Sequence, residues 1–225
     1  MRVFHLTDLH LPSPGGEAAI ARVIRDVTRG SDVVVITGDI TDDGSQEQYD
    51  LAYRLLSPLR GHLLLAPGNH DYGPLGLAYD EECEARWLSL CAALCCPRPG
   101  SPWRRDGWMM VALDSCRKDP VLARGNLGES QLARLRDAIQ LARRTRTKLL
   151  VAIHHDVALT DPTLALDDGD ALLALAWSAA DVVLMGHTHG AAAEWTATEG
   201  VRGYWRRGQD AVGGGAASVW VRELG

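Results

Sequence analysis

Short apolar segments alternate with longer amphipathic segments along most of the chain. The apolar segments are rich in Val, Ile and Leu and lack polar alternation, which is typical of strands buried on both faces of a sheet. The amphipathic segments carry apolar residues at helical spacing. The alternation predicts an α/β fold. The predicted strands are 3–6, 33–37, 62–66, 109–113, 149–153 and 182–185, and the predicted helices are 17–28, 45–56, 81–94, 129–144 and 171–177.

Smaller signals complete this outline. Ser45 and Gln48 have the spacing of a capping box at the start of helix 45–56. After Gly190, short segments with Trp, Tyr and Val are separated by glycines, which favours hairpin strands that complete a second sheet. The proline-rich stretch 96–107 is a connecting loop rather than a domain boundary, because too few residues flank it to form two cores. We therefore expect a single domain over residues 1–225.

Composition excludes several classes of protein. The formal net charge is −6 and the basic residues are scattered, so we expect no stable nucleic-acid partner and no membrane partner. No apolar run approaches the 18 or more residues of a spanning helix, and the polar N-terminus does not resemble a secretory signal. Five cysteines without paired Cys-x-x-Cys motifs argue against a disulfide framework or a structural zinc site. A cytoplasmic enzyme for small molecules is expected.

Five polar clusters each follow a predicted strand. Ligand residues collect at the carboxyl ends of strands in open α/β sheets, so these clusters are expected to converge. Side chains two residues apart on an extended segment face the same way, which should bring Asp8 and His10 together. The clusters are Asp8 with His10, Asp39, Asn69 with His70, His154, and His187 with His189.

Each cluster alone has an ordinary structural explanation, such as a strand-end turn or a helix cap. The strongest single element is Gly186-His187-Thr188-His189, because two imidazoles directly after a buried strand are costly without a partner. Taken together, the carboxylates, imidazoles and one amide oxygen predict a site for two divalent metal ions. The mixed nitrogen and oxygen donors suit Mn, Fe, Zn or Co better than Mg or Ca, and Mn or Fe is the expectation.

The ordered set of clusters resembles the calcineurin-like metallophosphoesterases. That family carries the motifs Asp-x-His, Gly-Asp-x-x-Asp, Gly-Asn-His-Asp, a strand-end His and Gly-His-x-His, which appear here between Thr7 and Gly190. The resemblance implies the metallo-dependent phosphatase fold, a four-layer αββα sandwich of two mixed sheets flanked by helices. It also implies one metal ion held by Asp8, His10, Asp39 and His189, and a second held by Asp39, Asn69, His154 and His187.

The resemblance also implies a hydrolytic mechanism. A hydroxide that bridges the two metal ions would attack the phosphorus in line. His70 is not a ligand in the resemblance and is expected to donate a hydrogen bond to the scissile phosphate or the leaving oxygen. Asp71 is expected to orient a site imidazole. His155, next to ligand His154, fits either a substrate contact or a supporting role.

Three positions narrow the choice among the branches of this family. Asp42 stands where purple acid phosphatases have tyrosine, Asp43 where protein serine/threonine phosphatases have arginine, and His70 where the lipid-precursor diphosphatases have arginine. The chain is most similar to the bacterial class III cyclic-nucleotide phosphodiesterases, which implies hydrolysis of small phosphodiesters. A phosphomonoesterase, a small nuclease and a non-catalytic scaffold of the same fold are the alternatives. Trp205 and Trp220 on the late strands would either pack in the core or, if exposed, form the edge of a homodimer.

Overall fold

The structure is a computed structural model that describes residues 1–118, 123–157, 159, 161–177, 179–189, 193–195, 204–207 and 219–224. Two sheets and five helices are present in these ranges. None of the described helices has both the length and the apolar character needed to cross a bilayer. All five cysteines are free, as the sequence predicts.

The first sheet contains the N-terminal strands. Its order is β10-β1-β2-β3, in which β1, β2 and β3 run parallel and β10 pairs antiparallel with β1. Helices α1, α2 and α3 accompany it. The elements are β1 (Arg2–Leu6), α1 (Pro14–Asp26), β2 (Val33–Thr37), α2 (Gln46–Leu56), β3 (Leu63–Ala66), α3 (Glu81–Ala93) and β10 (Trp220–Glu223).

The second sheet is built from later strands in the order β4-β5-β6-β7-β9-β8. Strands β5, β6, β7 and β9 are parallel, whereas β4 and β8 pair antiparallel at the two edges. The elements are β4 (Trp103–Arg105), β5 (Trp108–Ala112), α4 (Gly128–Thr145), β6 (Lys148–Ala152), α5 (Gly169–Ala176), β7 (Val182–Met185), β8 (Ala193–Trp195) and β9 (Tyr204–Arg207).

Three hydrophobic clusters hold the layers together. Because side chains alternate along a strand, Val33 and Val35 pack between the two sheets while Val34 and Ile36 pack against the outer helices. Strand β5 divides its side chains in the same way between the inter-sheet cluster and the cluster under α4 and α5. The result is a helix-sheet-sheet-helix sandwich, so the predicted fold class is confirmed.

Three details of the prediction are wrong. Strand β10 joins the first sheet rather than the second, since its backbone pairs with β1. Among the described residues after Gly190, β8 and β9 form the expected antiparallel pair. The stretch 96–107 contains the short strand β4. Ser45 precedes α2 without a side-chain cap, and Gln48 instead accepts hydrogen bonds from the amides of Asp42 and Asp43.

Other sequence expectations concern the chain's C-terminal part. The Trp220 ring meets His5 edge-on at 6.5 Å between ring centroids, which is a packing role. The side chain of Trp205 and the glycine-rich segments 196–203 and 208–218 lie outside the described residues. The single-domain organisation and a homodimer both stay predictions.

Ile36 tests the importance of β2, the interior strand that leads into Asp39. Its side chain is fully buried, so Ile36→Ala should lower the free energy of unfolding by about 3 kcal/mol, and Ile36→Val by about 1 kcal/mol. Val221 is 41% exposed on β10, and Val221→Ala should cost no more than about 0.5 kcal/mol. Urea unfolding measures all three variants. Equal losses for Ile36→Ala and Val221→Ala would contradict this placement of the core.

Candidate metal centre

The polar clusters meet at one edge of the sandwich, beyond the carboxyl ends of strands from both sheets. β1, β2 and β3 lead into the clusters of Asp8, Asp39 and Asn69, and β6 and β7 lead into those of His154 and His187. Backbone hydrogen bonds join the turns to each other, from Asp8 N to Gly38 O at 3.1 Å and from Gly186 N to His154 O at 2.9 Å. The sandwich therefore fixes the relative positions of segments far apart in sequence.

Five of the seven predicted ligand residues have left-handed backbone conformations. The φ angles of these non-glycine residues are positive, a conformation that costs about 1–3 kcal/mol each where the side chain is not glycine. Asp8 and His10 therefore do not lie on an extended segment, and left-handed turns rather than strand alternation bring their side chains together. The residues are Asp8 (51°), His10 (42°), Asp39 (50°), His187 (77°) and His189 (44°).

The first ligand group gathers around the carboxylates of Asp8 and Asp39. His10 Nε2 lies 3.0 Å from His189 Nε2 and 3.7 Å from Asp39 Oδ2, and His189 Nε2 lies 3.5 Å from Asp8 Oδ1. Two nitrogens bound at right angles to one metal ion at about 2.1 Å are about 3.0 Å apart. These four residues can supply ligand atoms to one ion.

The second group contains Asp39, His154 and His187. His154 Nε2 lies 3.1 Å from His187 Nδ1, 3.4 Å from Asp39 Oδ2 and 3.0 Å from Asn69 Oδ1. The amide group of Asn69 donates to Gly76 O at 3.2 Å, which directs Oδ1 towards the imidazoles. Asp39 belongs to both groups, so the structure brings together every residue of the predicted ligand sets.

Burial and charge fit these groups to metal ions. The residues Asp8 and Asp39 are each only 1% exposed, and buried carboxylates require a positive partner. Burial alone would raise the pKa of Asp39, but the charge of His154 and nearby imidazoles holds that pKa well below its usual range. Although burial opposes it, the same carboxylates raise the pKa of His154 to about 9. The centre thus favours positive charge.

Two buried atoms at the centre have no hydrogen-bond partner in the described structure. They are Asp39 Oδ2 and His187 Nε2. Burial, followed by the charge of His154, lowers the pKa of His187 to about 4, so this imidazole is neutral at ordinary pH and can offer a lone pair. Unpaired buried polar groups are rare and costly. A divalent ion would satisfy Asp39 Oδ2 and accept the lone pair of His187 Nδ1, the ring nitrogen that faces His154 Nε2 at 3.1 Å.

Oxygen atoms hold two of the imidazoles in orientation. Asp42 Oδ1 lies 3.0 Å from His10 Nδ1, and Thr37 O lies 2.7 Å from His154 Nδ1. Each contact leaves Nε2 facing the other ligands, an arrangement common around metal-bound histidines. The contact of Asp42 with His10 was not predicted from the sequence, although the Gly-Asp-x-x-Asp spacing was an available signal.

His70 borders the centre without joining either ligand group. Its backbone amide donates to Asp39 Oδ1 at 2.9 Å, and its ring Nδ1 lies 2.7 Å from Asp42 O. Gln48 fixes the same loop by accepting from the amides of Asp42 at 2.7 Å and Asp43 at 3.0 Å. No local motif predicted this role of Gln48, because its partners precede the helix that carries it.

Asp71 supports the backbone rather than an imidazole. Its carboxylate accepts from the amides of Thr41 at 3.0 Å and Gly68 at 2.9 Å. Burial and the nearby carboxylate of Asp39 raise its pKa to about 6. These contacts tie the Asp39 loop to the Asn69 loop, which differs from the predicted contact with a ring. Its predicted place among the catalytic residues stays a prediction.

His155 lies behind the centre. It is fully buried, its Nδ1 lies 2.7 Å from Ser115 Oγ, and its ring centroid is 4.4 Å from that of His187. Of the two roles left open by the sequence, this position favours support of the candidate ligand His187.

Comparison with known proteins identifies the family. A family model described as calcineurin-like phosphoesterase matches residues 1–191. The chain belongs to the calcineurin-like phosphoesterases. Membership implies divalent metal ions, for which this phosphoesterase has a fitting cluster of Asp and His residues.

Curated relatives of this phosphoesterase include phosphodiesterases. A glycerophosphodiester phosphodiesterase of Enterobacter lignolyticus is 31% identical over 112 residues, which cover 45% of this chain and 36% of the relative. A 3',5'-cyclic adenosine monophosphate phosphodiesterase of Pseudomonas aeruginosa is 31% identical over 140 residues, covering 62% of this chain and 44% of the relative. The chain spans between 36% and 64% of the length of the curated relatives it matches.

Solved structures confirm the fold of this phosphoesterase. A dimetal phosphatase from Danio rerio superposes with a TM-score of 0.64 at 14% identity, covering 94% of this chain and 88% of that chain. The protein TT1561 of Thermus thermophilus gives a TM-score of 0.61 at 11% identity, covering 93% and 89% of the two chains. The predicted metallo-dependent phosphatase fold is therefore confirmed.

Gly68 tests how closely this phosphoesterase packs backbone against the shared ligand. A Cβ at Gly68 would lie 2.1 Å from Asp39 Oδ1 and 2.4 Å from Asp39 N, so Gly68→Ala should displace Asp39. We expect the metal content per chain to fall well below that of the wild-type protein, measured by inductively coupled plasma mass spectrometry. A Cβ at Gly30 meets nothing within 4 Å, so Gly30→Ala is the control. Full metal content in Gly68→Ala would contradict the expected crowding.

Proposed function

We propose that the chain is a binuclear metal-dependent phosphodiesterase that hydrolyses phosphodiesters of small molecules, cyclic nucleotides among them. The observation that carries the proposal is the convergence of two ligand groups on one shared carboxylate, Asp39. The names of the curated phosphodiesterase relatives support the reaction class. The proposed ligands are Asp8, His10, Asp39 and His189 for one ion, and Asp39, Asn69, His154 and His187 for the other.

Two divalent ions held in this way would lower the pKa of a shared water, polarise the phosphate and align the attacking and leaving oxygens. The mixed donor set supports Mn or Fe, with Zn or Co as alternatives. The chain's own contribution is to fix the ligand atoms. Thr37 O and Asp42 Oδ1 orient the imidazoles of His154 and His10, which leaves their Nε2 atoms as ligands.

His70 is the proposed hydrogen-bond donor to the reacting phosphate. Its ring lines a cavity of about 340 Å³ that also touches Asp39, Asn69 and His187. Because Nδ1 donates to Asp42 O at 2.7 Å, Nε2 accepts in the neutral ring and donates only in the imidazolium. The carboxylate of Asp42 lies 3.8 Å from the same Nδ1. An imidazolium at this position would direct its Nε2 hydrogen at a phosphoryl or leaving oxygen bound in the cavity.

The charge of the cavity favours a diester over a monoester. No lysine or arginine is among the described residues that line it. A monoester dianion carries one more negative charge than a diester and gains most from an additional fixed guanidinium or ammonium group. A diester monoanion needs less compensation beyond the metal ions. The proposed small-molecule diester, rather than a long nucleic acid, also agrees with the net charge of −6.

The function is tested with protein reconstituted separately with Mn²⁺, Fe²⁺, Zn²⁺ and Co²⁺. We expect hydrolysis of bis(p-nitrophenyl) phosphate and cyclic AMP to exceed hydrolysis of p-nitrophenyl phosphate. Asp39→Asn should abolish turnover and lower metal content. Asp50, exposed on α2 and bonded to Gln46, provides the control Asp50→Asn. Turnover of Asp39→Asn with two ions bound would refute the shared ligand, and preference for p-nitrophenyl phosphate would refute the diesterase assignment.

His70→Ala separates catalysis from metal binding. We expect kcat to fall about 10²- to 10³-fold, because one donor to a developing negative charge is lost, while two metal ions per chain remain. Stopped-assay kinetics and metal analysis of the same preparation measure the two quantities. Unchanged kcat would remove the catalytic role, and loss of metal in parallel with kcat would make His70 a ligand or a structural support.

A further inference from the structure

Two exposed leucines stand beside the metal centre. Leu75 is 61% exposed and Leu77 is 59% exposed, and both line the cavity of about 340 Å³ that contains Asp39 and His70. The same cavity is lined by Ala123 and Leu164. One side of an otherwise polar site is thus apolar and open to solvent.

The turn that carries the leucines is fixed to the metal centre. Gly76, between them, accepts a hydrogen bond from Asn69 Nδ2 at 3.2 Å. A Cβ at Gly76 would lie 2.2 Å from Asn69 Nδ2 and 2.6 Å from His70 Cδ2, so the backbone lies directly against a ligand and the proposed donor. The amides of Gly76 and Leu77 bond back to Gly73 O and Pro74 O. The leucines therefore hold a set position relative to the metal ligands.

The conformation of Leu75 is costly for this residue type. Its φ of 54° and ψ of 17° are left-handed, a region where Asn or Gly is favoured and a bulky residue is an outlier. The side chain gains little packing in return, since most of it is exposed. Strain and exposure together are more informative than an exposed leucine alone, because strained residues cluster where substrate is held.

We propose that Leu75 and Leu77 form an apolar wall that binds the non-leaving ester group of the substrate, and that this group has a flat, apolar face such as an aryl ring or a nucleobase. The inference rests on the proposed phosphodiesterase function and deepens it by naming the substrate class. A glycerol or methyl ester group would leave the wall uncovered. An apolar contact of this size discriminates by about ten-fold or more.

Two substrates with the same leaving group isolate the contribution of the apolar wall to kcat/KM. Bis(p-nitrophenyl) phosphate and methyl p-nitrophenyl phosphate both release p-nitrophenol and differ only in the group that stays on phosphorus. We expect metal-loaded wild-type protein to prefer the aryl diester by about ten-fold or more in kcat/KM. The variant Leu75→Asn/Leu77→Gln should lose most of that preference through a higher KM, with the methyl diester changing less than about three-fold. Asn suits the left-handed position.

Leu88→Gln is the matched control, because Leu88 is 40% exposed on α3 and does not line the cavity. It should keep the wild-type preference. Equal losses on both substrates in the double variant, or an unchanged preference, would overturn the proposal. So would a change from dimer to monomer in the double variant by light scattering, since the leucines would then be a contact between copies.

A binding measurement distinguishes failure of the wall from failure of the proposed function. Isothermal titration calorimetry with diphenyl phosphate and dimethyl phosphate reports affinity without turnover. We expect wild-type protein to bind diphenyl phosphate at least ten-fold more tightly, and the double variant to lose that ratio. If the wild-type protein shows this affinity ratio and the double variant loses it, but no diester is hydrolysed, the apolar wall is supported and the phosphodiesterase function is refuted. If diesters are hydrolysed but the wild-type protein lacks the affinity ratio, or the double variant keeps it, the apolar wall is refuted and the phosphodiesterase function is not.

Discussion

Buried negative charge at the junction of the two sheets is the constraint on which the structure depends. Asp39 lies after β2 with 1% of its surface exposed, and one of its carboxylate oxygens has no hydrogen-bond partner among the described residues. An isolated buried carboxylate would be strongly unfavourable. The surrounding imidazoles relieve part of this cost and offer nitrogen donors to a metal ion. The stability of this edge of the sandwich and its chemistry therefore have the same origin.

The energetic cost of this arrangement lies in the backbone of the turns that carry the polar residues. Candidate ligand residues after β1, β2 and β7 adopt left-handed conformations. A Cβ at Gly38 or Gly186 would overlap His154 or Thr7. The strain is supported by regular hydrogen bonding in the strands directly before each turn. Rigid strands with strained ends, together with side chains such as Asp42 and Asp71, hold the donor atoms at fixed distances.

The sequence was sufficient to predict the α/β class, the buried strands that lead into the polar clusters and the convergence of those clusters. These predictions succeeded because strand burial and strand-end chemistry are local patterns. Other features depend on partners remote in sequence. Gln48 looked like a helix cap by spacing, yet its side chain satisfies the loop of Asp42. Asp71 looked like a partner of a ring, yet it bonds backbone amides of two loops. The pairing of β10 with β1 likewise has no local signal.

The pairing of β10 with β1 leaves β1 without one neighbour while the chain is being synthesised. Arg2 lies opposite Glu223, and the two residues are joined across the sheet although more than two hundred residues separate them. Until β10 has been synthesised, β1 is an edge strand with unpaired backbone groups, and such edges are prone to pair with other chains. The strand that presents Asp8 thus leaves the ribosome long before the neighbour that makes it interior. A nascent chain with most of its candidate metal ligands already synthesised would still carry an open sheet edge beside them.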